Sequence, residues 1–187
     1  MSRWFIFTQA SLPGVWIAQR NVLEDDRGSF GRVFCAVEFE EIGLNKPIVQ
    51  INRSITRMKG SVRGLHFQRP PYAETKIISC IKGEVFDVAV DLRHNSKTFL
   101  SWHGEILSSK NNKTIVIPEG FAHGFQTLTD DCELLYFHTG LYTSEAEGGL
   151  NVEDQRIGIN WPLPVNGLSE RDRSFVFISD DYTGERL

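Results

Sequence analysis

Apolar runs in this chain are short, and each is stopped within a few residues by glycine, proline or an acidic turn. Such a chain has little room for anything but β-structure. Residues 85–92 set the pattern: Phe86, Val88, Val90 and Leu92 fall on one face, and Val85, Asp87, Ala89 and Asp91 on the other. Residues 75–81, 114–117 and 132–138 read as further strands. The first ends at Lys82-Gly83, the second at Pro118-Glu119-Gly120, and the third is entered through Asp130-Asp131. Sixteen glycines and seven prolines supply the turns that many short strands need. Acidic groups on one face of 85–92 suit the polar end of a barrel interior; a solvated sheet face would carry them equally well. The helix that the spacing predicts is short, at 37–42, and closes near Gly43. The expectation is an all-β fold with short helices, a barrel or jelly roll. A chain of 187 residues suits one core, so 1–187 reads as a single domain. Its N-terminal arm covers about 1–11, its loop-rich C-terminal segment about 162–187, and residues 180–187 read as a frayed tail.

The charge pattern narrows the partners. The net charge is -4 and no basic run exceeds two residues, which argues against a nucleic-acid or membrane-surface footprint. Cys35, Cys80 and Cys132 are odd in number and show no CxxC spacing, as suits a reducing cytoplasm. Trp4, Phe5, Ile6 and Phe7 form an apolar run too short for a signal or a membrane span.

Two segments carry chemistry. Val62-Arg63-Gly64-Leu65-His66-Phe67-Gln68 places a cation, a glycine and a histidine within four residues of one strand. Arg63 and His66, three apart, point to opposite faces of a regular strand. A bulge at Gly64 would bring both to one pocket, where a histidine beside a fixed guanidinium suits proton transfer on an anionic substrate. A surface arginine and a half-buried histidine would give the same pattern. Pro118-Glu119-Gly120-Phe121-Ala122-His123 sets a histidine just after a tight turn and resembles the second motif of the cupin superfamily. In metal-binding cupins that histidine is a ligand, joined by two more histidines and a glutamate. Here the first-motif region offers His66 alone and no HxH occurs, so no metal is expected. Taken singly, Tyr136 reads as a core-edge residue, Lys76 as a solvated cation and Asp172 as a cap or loop carboxylate.

Read in order, the motifs are more specific. Asp26-Arg27-Gly28, Gln50-Ile51-Asn52, RGLHFQ, Lys76, GEVFDVAVDLR from Gly83, Ser96-Lys97-Thr98-Phe99, PEGFAHGF from Pro118, LLY ending at Tyr136, Glu147, Trp161-Pro162 and LSERD follow one another. In this order they resemble the sugar-nucleotide 3,5-epimerases typified by dTDP-4-dehydrorhamnose 3,5-epimerase, from about Leu12 to Arg173. The resemblance implies a cupin-type jelly-roll homodimer without metal or cofactor. By position it implies His66 as general base, Tyr136 as general acid, Asp172 as the carboxylate paired with the base, and Lys76 as the cation near the C4 oxygen. Arg27, Gln50, Asn52, Arg63, His123, Tyr142 and Glu147 match substrate-contacting positions. It also implies that the N-terminal arm crosses to extend the partner's sheet and brings Arg27 toward the neighbouring site.

The residue types suit that chemistry. A C4 ketone acidifies the C–H bonds at C3 and C5, because loss of either proton gives an enolate. A neutral His66 can take the proton from one face and Tyr136 can return one from the other. Lys76 can stabilise the enolate oxygen, and arginines can hold a diphosphate. Two departures stand out. Arg32 occupies a position where the family usually carries glutamate, and His138-Thr139-Gly140-Leu141 replaces a more aromatic run. Epimerisation at C3 or C5 alone, a CDP- or GDP-linked sugar, a 3,4-ketoisomerase and a non-enzymatic sugar-binding cupin remain open on the residues.

Overall fold

The alternating segments become strands, and antiparallel pairing gathers them into two facing sheets. The computed structural model describes residues 3–187. The first sheet runs in the order β1 (Phe5–Gln9), β2 (Trp16–Arg20), β10 (Lys113–Ile117), β7 (Lys76–Lys82), β12 (Cys132–His138), β5 (Gln50–Thr56). The second runs β13 (Glu147–Gly149), β6 (Val62–Gln68), β11 (Phe121–Thr127), β8 (Glu84–Asp91), β9 (Trp102–Ser108). A separate hairpin pairs β3 (Val22–Asp25) with β4 (Gly28–Gly31). From β5 to β8, and again from β9 to β13, each successive strand changes sheet, which gives the jelly-roll connectivity expected of an all-β chain. No helix among the described residues is long and apolar enough to cross a membrane.

Three apolar layers hold the sheets. Between them, Ile78, Cys80, Ile115 and Leu134 of the first sheet meet Val85, Ala89, Leu107 and Phe125 of the second. Outside the second sheet, Val62, Phe67, Val88 and Val90 pack under Leu150, Val152 and Ile157, with Trp161 and Ile178 against them. Outside the first, Phe5, Ala18, Ile77, Val116 and Phe137 lie under Phe39 and Leu44. Covered on both faces, the central strands lose the in–out contrast of a half-solvated sheet, and all seven residues of β11 are buried. In β8 the apolar face packs outward under the C-terminal segment, while Asp87 points into the barrel.

The short helix forms where expected: α1 (Ala36–Phe39) tightens into a 3₁₀ turn over Glu40–Ile42 and stops at Gly43, whose φ of +88° suits glycine. A second helix, α2 (Glu170–Ser174), lies inside the segment expected to be loop. Ser169 caps it by accepting from the Asp172 backbone N–H at 3.1 Å.

Within the protomer β1 pairs with β2 over Phe5–Gln9, and Phe5 is fully buried against Phe39. Burying such a ring stabilises by roughly 1.5–3 kcal/mol. β1 is the terminal strand of its sheet, and its outer edge has no neighbour among the described residues. One expectation is corrected: the C-terminus is not frayed. Glu185 N–H donates to the Leu92 carbonyl, its own carbonyl accepts from His94 N–H at 2.8 Å, and the Tyr182 ring leans on Phe99.

Candidate active site

The bulge proposed at Gly64 is present. His66 pairs with His123 and Arg63 with Phe125, so three steps along β6 match two along β11. Gly64 has φ +132°, and a Cβ there would stand 2.6 Å from the Gly124 Cα, so no larger residue fits. The extra residue turns Arg63 and His66 toward one pocket of about 1100 Å³. Every residue marked in the sequence lines it except Arg27.

His66 lies on β6 and Asp172 on α2. Their side chains meet at 2.7 Å, Nε2 to Oδ1. Burial alone would raise the Asp172 carboxyl, but hydrogen bonds from His66 and the Ser169–Gly64 surroundings outweigh it and hold it below its ordinary value. An ionised carboxylate only accepts, so the Nε2 of His66 carries the hydrogen and Nδ1 is left as the basic nitrogen. Arg171, missed in the sequence, ties Nη1 to Glu147 at 2.7 Å; its Nη2 stands 3.0 Å from the same Nε2, a donor facing a donor in this tautomer and no hydrogen bond. Glu147 also accepts from the Tyr142 hydroxyl at 3.1 Å.

Tyr136 projects from β12, on the opposite sheet from His66. Its hydroxyl lies 3.1 Å from Ser54 Oγ, and burial pushes its phenol well above the ordinary range, so it stays a neutral donor. Lys76, on β7, donates to the His66 carbonyl at 3.3 Å and lies 3.6 Å from Glu74. Burial lowers its ammonium pKa; the charge of Glu74 is the strongest opposing influence. His123 holds Asp87 inside the barrel at 2.9 Å, and burial pushes that carboxyl up against the pull of the imidazole.

The remaining marked residues form the rim. Arg63 is braced by Thr56 Oγ1 at 2.9 Å, the Gln50 side chain accepts from Tyr142 N–H at 3.2 Å, and Asn52 lies 3.4 Å from His138. Arg27 is elsewhere. It occupies the turn of the β3–β4 hairpin, its side chain is 90% exposed, and it pairs with Asp25 at 2.5 Å. Arg32 also lies outside the pocket, over the Trp4 ring.

Ser54, Glu74 and His138 were not marked. Parity would have found His138, two after Tyr136 on β12 and so on the same strand face; Glu74 lies in the loop before β7 begins, where parity says nothing. Among the described residues, no cluster of three or more His, Cys, Asp or Glu side chains is arranged to hold a metal ion.

Comparison with known proteins gives the family. The family model described as dTDP-4-dehydrorhamnose 3,5-epimerase matches residues 9–180. A protein of that name from Methanothermobacter thermautotrophicus is 44% identical over 174 residues, 91% of this chain and 93% of its own. The structure of dTDP-6-deoxy-D-glucose-3,5-epimerase from Legionella pneumophila, in complex with dTDP-4-keto-L-rhamnose, superposes with TM-score 0.92 at 35% identity, covering 98% of each chain. The 3'-monoepimerase ChmJ from Streptomyces bikiniensis, in complex with dTDP-quinovose, superposes with TM-score 0.83 at 29% identity over 89% of this chain and 85% of its own. The chain therefore belongs to the dTDP-4-dehydrorhamnose 3,5-epimerase family, a family of isomerases.

Proposed function

We propose that this isomerase epimerises a dTDP-4-keto-6-deoxy sugar at C3 and C5, converting dTDP-4-dehydro-6-deoxyglucose to dTDP-4-dehydrorhamnose. The observation that carries the reading is the placement of His66–Asp172 on one sheet and Tyr136 on the other, across a single pocket. His66 Nδ1 removes the proton next to the C4 ketone. Electron density moves onto the C4 oxygen, where Lys76 offers a charge. Tyr136 delivers a proton to the opposite face, and the carbon is inverted. Arg63 and its neighbours on β5 offer charge-assisted bonds to the diphosphate. No redox change occurs, so the steps require no cofactor.

The active unit in this reading is a cytoplasmic homodimer. Support comes from the β3–β4 hairpin, which presents Arg27 with the exposed side chains of Leu23 and Phe30. The partner's pocket is the destination that the family resemblance implies for that arginine.

The test is solvent deuterium uptake, followed by NMR, with dTDP-, UDP-, GDP- and CDP-linked 4-keto-6-deoxy sugars. Uptake at C3 and C5 of the dTDP sugar, with inversion at both, is expected. Uptake at C3 alone would make the enzyme a monoepimerase. Movement of the ketone to C3 would make it a ketoisomerase, and binding without exchange would make it a sugar-binding protein.

A further inference from the structure

Glu74 and His138 are buried ionisable residues of the pocket that the proposed reaction leaves without a task. Glu74 Oε2 accepts from His138 Nδ1 at 2.8 Å, while its Oε1 faces Lys76 Nζ at 3.6 Å. Side-chain exposure is 7% for Glu74, 10% for His138 and 12% for Lys76, so little water screens the three charges. The strand register fixes the meeting: His138 is the cross-strand partner of Lys76 in the β12–β7 ladder. The far nitrogen of His138, Nε2, faces Asn52 Nδ2 at 3.4 Å, and its ring stacks on Tyr136 at 6.1 Å between centroids. With the Asn52 amide beside Nε2, the imidazole presents its Nδ1–H to the carboxylate and fixes it.

We propose that the Glu74–His138 pair is a positioning device for Lys76: the imidazole fixes the carboxylate, and the carboxylate keeps the ammonium charged and aimed for the enolate oxygen. The inference rests on the epimerase reading above. Other carboxylates that face Lys76 are already engaged. Asp87 on β8 is held by His123, and Glu147 on β13 is shared by Tyr142 and Arg171. Glu74 is the carboxylate in ion-pair contact with Lys76 among the described residues. Burial opposes the ammonium charge, and the field of Glu74 is the largest influence restoring it. Without Glu74, Lys76 would lose its proton at lower pH, and the pocket would lose the charge that meets the developing oxyanion.

The experiment measures kcat and KM from about pH 6 to about pH 10 with the dTDP-4-keto-6-deoxy sugar. It compares wild type with Glu74→Gln, Glu74→Asp, His138→Gln and His138→Leu, with dTDP affinity as a check on folding. In wild type, kcat falls on the alkaline side as Lys76 deprotonates. Glu74→Gln is expected to move that limb down by about one pH unit or more, with KM changed less than about threefold. Glu74→Asp keeps the charge and retains the limb, so the idea stays testable if the Gln variant loses dTDP binding. His138→Gln keeps a donor to Glu74 and should follow wild type, whereas His138→Leu should shift in the direction of Glu74→Gln. Profiles that differ only by a constant factor, or equal behaviour of the two His138 variants, would overturn the device. Absence of deuterium uptake in wild type would instead overturn the epimerase reading itself.

Discussion

His66, Lys76 and Tyr136 stand on strands with a hydrogen-bonded neighbour on each side: β6 lies between β13 and β11, β7 between β10 and β12, and β12 between β7 and β5. Arg27 stands at the turn of a two-stranded hairpin that joins neither sheet, and its ion-pair partner among the described residues is Asp25, two positions away. The first group is fixed by register and by buried partners. The second is held by a local pair in water, worth little to its position. Groups that move protons need their geometry set before substrate arrives. A group that only grips a charged tail can be fixed by the ligand, or by a second chain, at the moment of binding. The contrast assigns the reaction to the sheets and a share of substrate affinity to the hairpin.

The sharpest way to break that assignment is at His66. His66→Asn keeps size and polarity but removes the basic Nδ1 of a ring whose Nε2 is held by Asp172. Loss of kcat by about 10²- to 10⁴-fold or more is expected, with deuterium uptake falling in parallel. Wild-type uptake at both carbons in this variant would remove His66 from the role of base.

Tyr136→Phe should separate two steps that His66→Asn stops together. The base remains, so substrate protons still exchange with solvent. Delivery to the opposite face is lost, so inversion should drop by about 10- to 10³-fold more than exchange. Equal loss of exchange and inversion would mean that Tyr136 only packs against His123 and His138.

How far these roles could be read without coordinates depends on what fixes each residue. Alternation located β7, β8, β10 and β12, and with them Lys76 and Tyr136, because a strand's parity is local. The bulge at Gly64 was legible for the same reason: a glycine between two functional side chains of mismatched parity is a local contradiction that a bulge resolves. Alternation says little about β11, because both its faces are covered. Helix α2 is only five residues long, and its Asp172 owes its role to His66, 106 positions away. The pairing of Glu74 with His138 crosses 64 positions and is likewise a product of the sheet. Polar composition at 180–187 suggested fraying, yet Glu185 closes a bridge with Arg93, a contact set by where the chain ends in space. The aromatic run of the arm packs on β2 and Phe39 of its own chain, a contact set by the sheet and not by local pattern.

Arg27 carries the smallest expected effect and decides where the hairpin acts. One lost charge-assisted contact to a diphosphate is worth about 1.5–3 kcal/mol, so Arg27→Ala should raise KM by about tenfold or more while kcat stays within about threefold. If the hairpin reaches the neighbouring pocket, Arg27→Ala and His66→Asn chains complement each other. A mixed dimer then pairs the intact His66 of one chain with the intact Arg27 of the other in a single site. Mixing the two variants under subunit exchange should restore a low-KM activity that neither has alone. Sedimentation at micromolar concentration should show a dimer throughout. A fully active monomer would confine the hairpin to its own protomer, and a dimer without complementation would leave Arg27 as a surface charge outside the reaction.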